Sequence, residues 1–169
     1  MKLMFRPWAV KYLMPLWPPF WGMGVRIDRV TADFHVIVVS MKLSWWNRNY
    51  VGTHFGGSLF AMTDPFYMLM LHRALDPDYY VWDRAGSIEF IKPGRGKVMA
   101  RFEINAAIIE DIKRHTASGE KYFKELNLDI VDTAGDVVAK VKRTVYLRKK
   151  PHLRENRLHA EPARNVVNG

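Results

Sequence analysis

The spacing of apolar residues changes along the chain, and each change marks an element. Val98, Ala100, Phe102 and Ile104 alternate with Lys97, Met99, Arg101 and Glu103, the period of two that marks a half-buried strand. β-Branched Val36, Ile37, Val38 and Val39 give strand character to the stretch Val25 to Leu43. Tyr79 to Lys92 reads as a strand that runs into the turn Pro93-Gly94-Arg95-Gly96. Tyr122 to Val131 and Val137 to Arg148 read as two more strands, joined by a hairpin at Asp132 to Asp136. Asn105 to Ser118 reads as a short helical insertion ending at Gly119. Ser58 to Leu75 behaves differently, because it is apolar almost all round. A helix without a polar face must be covered on nearly every side. Gly56-Gly57 precedes it and Asp76-Pro77 ends it.

At the N-terminus, Arg6 to Met14 reads as a short helix started by Pro7, closed by a Pro-rich turn from Pro15 to Gly24. One apolar helix followed by four strands predicts an α+β fold, an antiparallel sheet curled around one long buried helix, with an extra N-terminal helix. The expected division is 1–24 for that helix and turn, 25–150 for the main domain and 151–169 for a basic tail.

Composition narrows the classes. The chain has 169 residues, 49% of them hydrophobic and 25% charged, which fits one globular domain. It has no cysteine, which excludes disulfides, thiolate metal sites and cysteine nucleophiles and suits a reducing cytoplasm. Met1 to Trp21 is apolar but is interrupted by Arg6, Lys11 and four prolines, so no export signal is expected. Ser58 to Leu71 is too short to span a bilayer and contains Asp64. The histidines lack metal-ligand spacing, and neither a phosphate-binding loop nor a serine elbow is present, so neither metal nor cofactor is expected.

The net charge is +9, and Lys140 to Arg164 holds nine Lys and Arg against two Glu. That end is either a solvated strand face with a charged tail or an anion site. Tail charge alone does not argue for nucleic acid.

Asp64 is the sharpest chemical signal. A carboxylate inside an apolar helix is costly unless paired, and its burial would raise its pKa in the direction that suits a general base. Local hydrogen bonds could equally satisfy it. Gly56 and Gly57 open the same helix, where free amides and the dipole favour an oxyanion; a tight packing turn is the other reading. Asn49 and His54 are read either as site residues or as a turn former and a structural hydrogen bonder. Thr53 and Ser58 look first like capping residues. Arg143 intrudes on the apolar face of the last strand, and either a carboxylate or a ligand could meet it. The Trp residues near the start of the chain and at Trp45 and Trp46 read as packing, as a cap on an acyl pocket, or as a contact with a membrane surface. Gly57 and Asp64 lie about 10 Å apart along one helix axis, so joint action would need a partner helix and a site at a dimer interface.

The run from Asn49 through Thr53-His54-Phe55-Gly56-Gly57, with Asp64 seven residues on, resembles the hotdog-fold thioesterases related to the phenylacetic-acid-pathway protein. Ile88 to Pro93 also looks like a strand of that family, and the whole pattern is closest to a thioesterase-like branch without assigned function. Phe55 stands directly before Gly-Gly, where the family's His usually does. The resemblance covers about Val25 to Lys149. It implies an acyl-CoA thioesterase acting as a homodimer or dimer of dimers, with Asp64 as catalytic carboxylate and Asn49 orienting water or substrate from the subunit that supplies Gly57. Gly56, His54 and Thr53 would contact substrate. From the charge pattern instead, Lys140, Lys142 and Arg148 share the outward face of the last strand, and Lys149 and Lys150 continue it as a basic rim expected to meet the phosphates of a CoA carrier. A non-catalytic acyl-CoA sensor on the same fold is the alternative, with a hydratase or dehydratase behind it.

Overall fold

The computed structural model describes residues 6–75 and 77–153. Helix α1 (Pro7–Leu13) starts on its proline, whose missing N–H costs nothing in a first turn. The stretch expected as a Pro-rich turn is itself helical. A 3-10 turn (Met14–Leu16) leads into α2 (Pro18–Met23), which stops at Gly24 in the left-handed region, φ 73°.

Val25 to Leu43 is two strands, β1 (Val25–Val30) and β2 (Val36–Lys42), paired antiparallel. The turn between them carries no glycine. Phe34 takes φ 60° there with its ring buried, and Thr31 holds the corner through its backbone amide and hydroxyl.

The long apolar helix is broken. Helix α3 (Gly56–Ala61) and α4 (Phe66–Leu75) are separated by Met62 to Pro65. Pro65 has no N–H to donate back into α3, and the residue before a proline is pushed out of the α region. Thr63 closes the break by donating its hydroxyl to Phe60 O, 2.6 Å. Helix α4 then buries Phe66, Tyr67, Met70, Leu71 and Leu75. Phe66 meets Phe102 with centroids 4.9 Å apart, and Tyr67 donates to Asn127 O at 2.9 Å.

Strands β3 (Tyr79–Phe90), β4 (Lys97–Glu103), β5 (Tyr122–Asp132) and β6 (Val137–Lys149) complete a six-stranded antiparallel sheet in the order β1-β2-β4-β5-β6-β3. Helix α5 (Ala106–His115) fills the β4–β5 connection, capped by Asn105 Oδ1, which accepts from Ile108 N at 2.9 Å. The β5–β6 hairpin turns on Asp132, whose Oδ1 accepts from the amides of Ala134 and Asp136. β3 ends up at a sheet edge, joined along its length to β6 only. Asp76, expected as part of the helix stop, and the tail beyond Leu153 lie outside the described residues.

Candidate active site

The loop after β2 and the head of α3 meet the far end of β3 around a cleft of about 390 Å³. Asn49, Thr53, His54, Gly56 and Leu59 line one wall, and Phe90 to Gly94 line the other. Four residues picked out in the sequence therefore share one cavity.

Asn49 is committed to the loop. Its Oδ1 accepts from Val51 N and Thr53 N, both at 3.1 Å, and its Nδ2 donates to Thr53 Oγ1 at 2.9 Å and His54 O at 3.3 Å. His54 is buried, with Nε2 3.0 Å from Gly96 O. The carbonyl can only accept, so Nε2 carries the proton and Nδ1 keeps a lone pair, which has no partner. Burial pulls the imidazole pKa below its ordinary value, against a smaller opposing effect of the Gly96 carbonyl. The ring is thus held neutral at physiological pH.

Gly56 and Gly57 lie close to two exposed rings, which would have to shift to admit a side chain at either position. A Cβ on Gly56 would stand 2.7 Å from the Phe90 ring, and one on Gly57 2.4 Å from the Phe55 ring. The amides of Ser58 and Leu59 both donate to Phe55 O, at 3.0 and 3.1 Å.

Asp64 does not sit inside a helix. It lies in the break before Pro65, with its side chain 49% exposed. The expectation of a buried helix carboxylate fails at this position because Pro65 ends the helical ladder. The separation reckoned along one helix axis between Gly57 and Asp64 fails for the same reason. What fixes Asp64 is Arg143, whose Nη1 donates to Oδ2 at 3.1 Å. Arg143 is itself 5% exposed. Its Nη2 donates to Thr63 Oγ1 at 3.0 Å and Phe60 O at 3.2 Å, and the guanidinium lies 4.5 Å from the Phe60 ring centroid.

Asp83 completes this cluster. β3 pairs Asp83 with Val145 and Gly86 with Arg143, and the register shift between Asp83 and Ala85 lets both face the helical side. Burial first, then the negative charge of Asp64, push the Asp83 carboxyl up to about 6, with Arg143 opposing. The raised carboxyl pKa expected at Asp64 is found at Asp83, which is half-buried. In sequence it reads as one polar residue in an alternating strand, and only the bulge and the β6 register reveal its surroundings.

Lys149 is not near the cleft of its own chain. Tyr79 pairs with Lys149 and Phe90 with Ala139, which puts Lys149 roughly 30 Å along the sheet from Phe90. Lys150 continues past it, with its amide donating to Asp78 O at 2.8 Å. Among the described residues no cluster of three or more His, Asp or Glu could hold a metal ion. No helix there is long and apolar enough to cross a membrane.

An antiparallel sheet with helices against it and a glycine-headed helix beside an edge strand make up the hotdog fold, which this chain shares with solved structures described as thioesterases. The chain belongs to the family described as a domain of unknown function, DUF4442, whose model matches residues 7–147. A Pseudomonas aeruginosa protein of unknown function, described as a probable thioesterase, is similar over 86% of this chain and 99% of its own, with TM-score 0.75 and 18% identity. A protein of unknown function from Chlorobaculum tepidum is similar over 86% and 98%, with TM-score 0.65 and 16% identity. The E. coli PaaI protein of the phenylacetic acid degradation operon is similar over 85% and 92%, with TM-score 0.58 and 17% identity. At these identities the likeness shows the fold. No curated protein matches the sequence.

Proposed function

We propose that this chain is an acyl-CoA thioesterase-type hydrolase that works in the cytoplasm as a homodimer paired through the free edge of β3. The observation that carries the reading is Asp64, a half-exposed carboxylate pinned by a nearly buried arginine beside an unpaired edge strand. Antiparallel pairing about a two-fold axis runs the Tyr79 end of one protomer beside the Phe90 end of its partner. The Asp64–Arg143 clusters then stand near the axis, with a cleft to either side. It also turns Lys149 and Lys150 toward the partner's cleft, where the diphosphate and ribose phosphate of CoA would lie. Within the site, Asp64 takes the proton from an attacking water, the first-turn amides at Gly56 and Gly57 receive the thioester oxygen as charge develops on it, and collapse of that oxyanion breaks the C–S bond and expels the CoA thiolate, which takes the proton back from Asp64. Thr53 and His54 form the cleft wall against the substrate, and Asn49 holds the loop that presents them.

Asp64→Asn keeps the shape and a hydrogen bond to Arg143 but cannot accept a proton. Turnover of an acyl-CoA panel should fall by about 10²–10⁴-fold with little change in binding; unchanged turnover would return Asp64 to a structural role. The second reading is a non-catalytic acyl-CoA binder. It draws on Asn49, whose side-chain atoms are all spent on the loop. Saturable binding of acyl-CoA without hydrolysis by the unmodified protein would decide for it.

A further inference from the structure

The N-terminal helices and the loop after β2 form an apolar surface that the site described above does not use. Trp21, Trp45 and Trp46 are 72%, 76% and 54% exposed, and Leu16, Tyr12 and Trp17 are exposed with them. All of these except Trp17 line one groove or pack on a residue that does. A groove of about 620 Å³ brings Tyr12, Leu16, Trp21 and Trp46 together against β1, with Lys11 and Arg26 among its lining residues. Trp45 packs edge-on against Trp46, 5.5 Å between centroids, and carries the surface on toward Arg48 and Tyr50. Asn47 Nδ2 donates to Met23 O at 2.9 Å and so ties the loop to the end of α2. A monomer rarely leaves such a surface without a use.

Charge says what covers it. From Arg6 to Val51 the chain has six Lys and Arg but only Asp28 and Asp33 as acids. Asp28 is taken by Lys97 and Ser40, and Asp33 lies in the β1–β2 turn, outside the lining of the groove. A second copy laid face to face would set like charges against one another, which is unfavourable. An anionic bilayer offers the complementary sign. Trp and Tyr are suited to its headgroup layer, while Leu and Trp faces reach the acyl boundary.

We propose that this face docks the protein on the surface of membranes rich in anionic lipid, with Leu16, Trp21 and Trp46 entering the headgroup region and Lys11 and Arg26 meeting lipid phosphates. The proposal does not rest on the hydrolase reading. Sedimentation of the full chain with phosphatidylcholine vesicles, with and without phosphatidylglycerol, tests it. Binding is expected to the anionic vesicles and to weaken with salt. Leu16→Ser/Trp21→Ser should abolish it, and Lys11→Glu/Arg26→Glu should weaken it at least about fivefold per charge, with circular dichroism unchanged for both. Equal binding to both vesicle types, or none to either, would overturn the proposal. So would a drop in the mass of the lipid-free protein on Leu16→Ser/Trp21→Ser, which would make the face a contact between copies.

Discussion

The acid–base behaviour of the site should register on Asp83 in folding as well as in turnover. An aspartate in an unfolded chain loses its proton near pH 4, whereas the folded environment of Asp83 holds it to about 6. Between those values the folded chain binds more protons than the unfolded one, so stability falls as pH rises through the window. The contribution is fully present below about 4 and fully lost above about 6. Asp83→Asn removes the group that titrates. The variant should melt higher than the parent at pH 7, and the difference should close on approach to pH 4. Melting curves across that range check it; parallel curves for the two proteins would mean that Asp83 is solvated like any surface aspartate. His54 sits apart from this pair, held to Gly96 in another part of the chain.

At the level of elements, the break between α3 and α4 meets the middle of β3 at Gly86. A Cβ there would stand 2.9 Å from Phe60 Cζ and 3.3 Å from Arg143 Cδ and Nη1. Phe60 lies under the guanidinium, and Arg143 is anchored by Asp64, Thr63 and the Phe60 carbonyl. Neither neighbour can withdraw without loosening the other. Gly86→Ala should therefore cost about 1–3 kcal/mol, read as a shift in the denaturation midpoint. Gly96→Ala is a useful contrast. Its added methyl finds nothing within 4 Å, and its cost comes from φ 70° alone. A Gly86→Ala midpoint equal to that of the parent would show that crowding at Gly86 is relieved at no cost.

At the scale of the whole molecule, β3 is the exposed edge that matters most. It is 12 residues long, bonded to β6 along one side, and leaves Tyr80, Trp82 and Phe90 exposed. A long edge of this kind is a template for another strand. Two copies paired there should sediment as a dimer at micromolar concentration. The β3 amides that lack partners within one chain should then exchange with solvent as slowly as those of β6. Rapid exchange along that edge in a dimeric protein would place the interface elsewhere. A monomer of full activity would remove the dimer from the mechanism.

Much of this was written in local pattern. The alternation from Lys97 to Glu103 is the observed β4. The Asp132 hairpin and the capped helix after Asn105 follow from turn and cap chemistry that acts within a few residues. The group Asn49, Thr53, His54 and Gly56 was legible because one short loop carries it to one cleft. Pro65 was a local signal too, and the apolar run around it masked the break it imposes. Other features depend on partners far along the chain. Arg143 meets Asp64 across 79 positions, a pairing that no periodicity encodes. Asp83 becomes a half-buried acid with a raised pKa only through the β3 bulge and the register with β6. The place of β3 at the edge follows from sheet order, which is settled by how the strands pack together. Sequence fixes which faces must be buried, because solvation acts residue by residue; which charges then share that buried space is decided only when the strands pair.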